Sequence, residues 1–182
     1  MSLIRWAVSF LVFLPALCTA QIYLIESGTI RLRSDAPLEL IEATNTQFNG
    51  AIDLGKQTFL MQVVNIGFKG FNSPLQQEHF HENYLETSFF PKSTFQGKLI
   101  EPVDLTKTGV QTIRAKGKLN IHGVAQERII KANLIVKGNT LVLESQFTVL
   151  LEEHNISIPK IVKQKIAEEI YIDVQARLLP KS

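Results

Sequence analysis

The stretch QTIRAKGKLNI, residues 111–121, decides how this chain is read. Ile113, Ala115, Gly117, Leu119 and Ile121 take one face, and Thr112, Arg114, Lys116, Lys118 and Asn120 take the other. Successive side chains of a strand leave on opposite sides, so this alternation describes a strand with one dry and one wet face. The pattern spreads outward from there. Ala132, Leu134 and Val136 repeat it in KANLIVK, and Leu141, Leu143, Ser145, Phe147 and Val149 continue it. Between them KGNT, residues 137–140, carries the hairpin signal Gly138-Asn139. Ile170, Ile172, Val174, Ala176 and Leu178 alternate near the end. Earlier stretches alternate less regularly: IYLIE at 22–26, TIRLRS at 29–34, TQFNGAIDL at 46–54, TFLMQVV at 58–64 and TFQGKLI at 94–100. Eight or nine strands with short connections predict an all-β antiparallel sandwich or barrel.

The first twenty residues stand apart. Arg5 precedes an apolar run from Ala7 to Leu14, Pro15 breaks it, and Cys18 and Ala20 place small residues before a cut. That is the layout of a secretory signal peptide cleaved after Ala20, with the domain spanning 21–182. The run is shorter than the roughly 20 apolar residues that a membrane-spanning helix needs. Cleavage removes the single Cys and the single Trp, Cys18 and Trp6. The exported domain then has no disulfide, thiol nucleophile or thiolate ligand. A domain of about 150 residues buries enough surface to do without such staples. The net charge of the whole chain is +2 and falls to +1 without Arg5, which argues against a nucleic-acid partner.

EHFHENYLETSFFPKSTFQG, residues 78–97, raises the question of a metal site. Upstream, Ser73 with Pro74 and Gln76 forms a capping box with proline at the first helical position, which predicts a helix from 74 to about 86. On a helix His79 and His81 lie roughly 200° apart and cannot share an ion. A metal would need a third ligand from afar, such as His122. Phe80 and Tyr84, four apart, form an apolar stripe instead. Six phenylalanines fall between 68 and 95: Phe68, Phe71, Phe80, Phe89, Phe90 and Phe95. They suit either a lid for a barrel mouth or a closed core end. The small residues Gly50, Gly97, Ala115 and Gly117 on the dry faces carry the same two readings. They serve close packing at barrel bends, or they leave room inside.

At this point the chain resembles a known family. His79-Phe80, Asn83-Tyr84, Phe90-Pro91, Thr94-Phe95 and Gly97 are similar to the helix-to-strand signature of YceI-like proteins. GKLNIHGV, with Gly117, Leu119, His122, Gly123 and Val124, resembles the family's turn. SQFTVLLEEHNISIP resembles its strand ending in Ile-x-Ile-Pro. The likeness runs from about Gly28 to Leu178. It implies an antiparallel eight-stranded lipocalin-like β-barrel with a short α-helix near the barrel mouth. It also implies export to the bacterial periplasm, a possible homodimer, and a hydrophobic lipid partner such as a polyprenyl chain or an isoprenoid quinone. It implies no cofactor and no enzymatic activity. GFKGFNSPLQQEHF after Ile66 is closer to a different branch from the one known for isoprenoid binding, so the fold carries over ahead of the ligand.

Three functions follow. In a binding module the ligand lies among Phe48, Phe95, Ile113, Leu119, Ile121, Leu143, Phe147 and Val149, with Phe80 and Tyr84 at the mouth. Each buried methylene then contributes about 0.8 kcal/mol. A metal-dependent enzyme would use His79, His122 and an acid such as Glu78, but no activated-nucleophile motif accompanies them. A solid-cored interaction protein would share the fold and fill the barrel with its own side chains.

Overall fold

The computed structural model describes residues 21–181, so the signal-peptide reading lies outside the described residues. Nine strands form one antiparallel sheet: β1 Ile22–Asp35, β2 Leu40–Asn45, β3 Phe48–Asp53, β4 Thr58–Val64, β5 Lys92–Leu99, β6 Gly109–Ile121, β7 Val124–Lys137, β8 Thr140–Leu150 and β9 Glu169–Pro180. Apart from β2 and β3, which both pair with β1, neighbours in sequence pair around the sheet, and β1 closes it against β9. One edge of β1 carries β9 along its length. The other carries β2 at Ile30–Asp35 and β3 at Ile22–Leu24. β2 and β3 therefore share one position in the ring, and the result is a closed eight-membered barrel with one extra strand.

Two shifts of parity explain why the early strands looked irregular. In β1 the inward residues are Tyr23 and Ile25, then Gly28, Ile30, Leu32 and Ser34. The pairing with β9 slips between Ile25 and Ser27, a bulge whose extra residue switches which parity faces inward. IYLIE and TIRLRS are thus halves of one strand. At the β2–β3 break the inward set changes from Ile41, Ala43 and Asn45 to Phe48, Gly50 and Ile52. Asn45 Oδ1 accepts the amide of Gln47 at 2.7 Å, a side-chain turn that breaks the alternation. β2 went unread for this reason.

β6, β7, β8 and β9 match the alternation of their sequence, with Ile113, Leu119, Ala132, Leu134, Leu143, Val149, Val174 and Ala176 buried. Gly138 has φ +60° in the two-residue loop joining Lys137 to Thr140. His122 and Gly123 both have positive φ, as the tight turn between Ile121 and Val124 requires. Gly97 and Gly117 face each other across β5 and β6. A Cβ on Gly97 would lie 2.1 Å from the Lys116 carbonyl oxygen, and one on Gly117 2.2 Å from that of Gln96. Here the small residues serve a backbone close approach.

The connections are not all short. Residues 65–91 and 151–168 are long links, and both lie at the barrel end that also carries the β1–β2 and β6–β7 turns. The opposite end is packed solid by Tyr23, Val136, Leu134, Leu141 and Leu178, the last three fully buried.

Candidate functional site

Above that packed end the barrel is hollow. A cavity of about 510 Å³ runs from a floor of Ile52, Phe59, Leu99 and Ile113 towards the end with the long links. Phe59 and Phe95 pack with ring centroids 4.8 Å apart across β4 and β5. The walls are almost wholly apolar. All ten sequence-derived positions, Phe48, Phe80, Tyr84, Phe95, Ile113, Leu119, Ile121, Leu143, Phe147 and Val149, line this space. The sequence reading missed the contributions of β1, β2 and β9, including Ile30, Leu32, Ile41, Ile170 and Val174. It also missed Val162, Lys165 and Ile166 of the β8–β9 link, which carry no strand alternation.

Three serines that reach the interior are hydrogen-bonded to the protein. Ser34 Oγ accepts the amide of Ala167 at 2.8 Å. Ser93 Oγ donates to Asn65 Oδ1 at 2.9 Å, and Ser145 Oγ donates to the Lys131 carbonyl at 2.8 Å. None of these hydroxyls is paired with a base that would make it a nucleophile. Further polar side chains gather at the mouth, where Glu39, Ser73, Gln76, His79 and Lys165 edge the opening.

Residues 65–91 form a lid stapled at its neck. Fully buried Asn65 donates Nδ2 to the Phe90 carbonyl at 2.7 Å, and its backbone amide donates to the Pro91 carbonyl at 2.9 Å. One side chain thus ties the start of the lid to its finish. Asn45, also fully buried, donates to the Val64 carbonyl at 2.8 Å and holds the adjoining corner of the barrel. Thr44 and Lys69 exchange backbone hydrogen bonds of 2.7 and 2.9 Å, tying the lid to β2.

The helix within the lid, α1, spans Pro74–His79 and is shorter than the three turns expected. Its start is as predicted: Ser73 Oγ accepts the Gln76 amide at 3.1 Å. Gln76 Oε1 accepts the amide of Asn72, one residue earlier than a standard capping box would use. Beyond His79 the chain widens into a single π turn, with the Leu85 amide bonded to the Phe80 carbonyl at 2.9 Å. Glu86 then takes φ +43° and the chain reverses, which ends the helix earlier than Pro91 would. The wide turn directs Phe80 and Tyr84 into the cavity and buries His81 and Leu85 beneath them. Phe80 packs on Phe68 and Phe71 with centroids 5.6 and 4.8 Å apart. Burial pushes the Tyr84 phenol above its ordinary range.

The histidines fill separate roles. His79 is exposed on the cavity rim. His81 is buried, with Nε2 3.2 Å from the Phe68 carbonyl and Nδ1 unpartnered. Burial holds its pKa below the usual imidazole value, and the Phe68 carbonyl partly offsets this. His122 anchors the far end of the lid. Its Nδ1 lies 3.1 Å from the His154 carbonyl, its Nε2 lies 2.5 Å from Glu86 Oε2, and its ring packs on Phe90 at 4.5 Å. Glu78 is exposed on α1. Among the described residues no group of three or more His, Cys, Asp and Glu side chains converges as a metal site would need. No helix of the described residues is long and apolar enough to cross a membrane.

A family model for the YceI-like domain matches residues 31–178. The chain belongs to the YceI-like family. Three solved structures share the architecture. A polyisoprenoid-binding domain from Saccharophagus degradans, implicated in plant cell wall breakdown, is 12% identical with a TM-score of 0.74, covering 87% of this chain and 98% of that one. Burkholderia cenocepacia BcnA is 13% identical with a TM-score of 0.65, covering 82% and 95%. A Campylobacter jejuni YceI protein is 12% identical with a TM-score of 0.57, covering 98% and 95%. At such identities the shared property is the fold. No curated protein matches the chain by sequence.

Proposed function

We propose that this YceI-like protein is an exported binding protein that holds one long apolar chain inside its barrel, an isoprenoid or similar lipid tail. The observation that carries the reading is the blind, largely apolar cavity of about 510 Å³, whose wall serines Ser34, Ser93 and Ser145 are hydrogen-bonded to the protein. Pockets of this size suit ligands of drug to lipid-tail scale. The driving force is transfer of methylene and methyl groups out of water. The similarity to a polyisoprenoid-binding domain supports the ligand class. On this reading the ten residues named from sequence contact the chain, and any polar headgroup stays at the rim near Glu39, Gln76, His79 and Lys165. Transport or storage in the periplasm fits such a site, and no catalytic step is assigned to it. The open interior weighs against a solid-cored interaction protein.

The test is native mass spectrometry of the protein purified without detergent, followed by solvent extraction. Release of a long-chain lipid of several hundred daltons is expected. A clean apo mass that takes up neither added polyprenols nor quinones would overturn the proposal.

A further inference from the structure

The mouth of the barrel combines three features on neighbouring segments. Exposed aliphatic side chains stand at its edge: Leu38 on the β1–β2 turn, Leu75 on α1 and Ile161, 92% exposed, on the β8–β9 link. These segments are joined by hydrogen bonds. The Leu38 amide donates to the Gln164 carbonyl at 2.8 Å, and Gln76 Nε2 donates to Glu39 Oε1 at 2.9 Å. The three tips therefore ring one opening. The third feature is charge: PKIVKQKI, residues 159–166, carries Lys160, Lys163 and Lys165 with no acid among them. Nearby Glu39 is engaged by Gln76, and Glu168 pairs with Lys163 at 3.1 Å.

An exposed aliphatic tip between lysines, Ile161 of PKIVKQKI, matches the two layers of an anionic bilayer surface, acyl boundary and phosphate. Val162, Lys165 and Ile166 of the same link also line the cavity, so the tips and the opening belong to one surface. We infer that the mouth end docks on an anionic phospholipid surface, with Ile161, Leu38 and Leu75 entering the headgroup region and Lys160 meeting phosphate. This seats the opening against the membrane, where an apolar chain can pass without crossing water. The inference goes beyond the cargo reading and does not depend on which chain fills the barrel.

The test is flotation of the purified protein with phosphatidylglycerol–phosphatidylethanolamine vesicles and with phosphatidylcholine vesicles. Binding to the anionic vesicles is expected, falling about tenfold or more for Ile161→Ser and by a similar factor for Lys160→Glu. The lysine variant is expected to retain wild-type displacement of a fluorescent fatty chain in solution, which shows that it is folded. Absence of vesicle binding by the wild-type protein, equal binding to neutral vesicles, or unchanged binding by both variants would overturn the inference. So would a dimer in solution that Ile161→Ser dissolves while vesicle binding is absent, since the face would then belong to a second copy. Vesicle docking without uptake of any apolar chain would sink the cargo reading and leave this one standing.

Discussion

Ala132→Phe should shorten the chain that the barrel can hold. Ala132 is buried, lines the cavity and sits between Ile113 of β6 and Ser145 of β8, one inward position above the packed Leu134. At roughly 30 Å³ per water-sized group, the 510 Å³ cavity holds on the order of 17 methylene-sized groups. Phenylalanine adds six carbons to this position, which lowers the capacity to about 11 on the same scale. At about 0.8 kcal/mol per buried methylene, a chain that fills the native cavity loses about 5 kcal/mol, or about three orders of magnitude in Kd. A chain of about ten carbons still fits and should bind both proteins alike. The assay is displacement of a fluorescent fatty chain by straight-chain alcohols of increasing length. In the native protein affinity should rise about fourfold per carbon and then level off. In the variant it should level off about six carbons earlier. A plateau at the same length in both proteins would refute the placement of the chain against this floor.

Four further outcomes follow from the same geometry. Asn65→Ala leaves the Phe90 carbonyl and Ser93 hydroxyl without their buried partner; a loss of about 3 kcal/mol is expected in urea unfolding, with faster amide exchange across the lid. Gly97→Val drives a side chain into the Lys116 carbonyl and should destabilise by about 2–4 kcal/mol in the same assay. His81 is held neutral by burial, so its folded pKa lies below the unfolded value near 6.5. Stability from this group is full above that value and is lost as pH falls through the folded pKa; His81→Gln should flatten that part of a melting-temperature profile. Extraction of the bound chain should lower the melting temperature, and re-adding it should restore the loss in a concentration-dependent way, as judged by differential scanning fluorimetry.

Much of this architecture could be read from the alternation of residues, and the failures have physical causes. β6 to β9 are long, uninterrupted strands with one inward parity, so Ile113 to Ile121 named a wall directly. β1 was read as two pieces and β2 was passed over because a bulge and an Asn45 turn each shift the parity by one, and a period-two reading has no memory across such a slip. The α-helix stops at His79 instead of near 86 because the chain widens into a π turn, of which the ordinary residues from Phe80 to Tyr84 give no sign. What ends that turn is the reversal at Glu86, fixed by His122 some 36 residues later in the chain. Asn65 escaped notice for a similar reason. A single buried amide in a polar-looking stretch becomes a staple only when its partners at Phe90 and Ser93 fold back onto it.

The size of the cavity bears on whether the barrel is ever empty. Cavities left by core truncation cost about 24 cal/mol per Å³; at that rate 510 Å³ of dry void would cost on the order of 12 kcal/mol. That is comparable to the whole stability of a typical domain. Water relieves such a cost where it finds two to four polar partners. Here Ser34, Ser93 and Ser145 are hydrogen-bonded to the protein, and most of the remaining wall is apolar. Collapse is opposed by the closed ring of strands, whose circumference is fixed by backbone hydrogen bonds rather than by side-chain volume. A closed ring around an apolar, poorly hydrated space is therefore best satisfied by an apolar guest. An apolar guest leaves water and restores the wall contacts that the empty barrel lacks, so cargo binding and fold stability should rise and fall together.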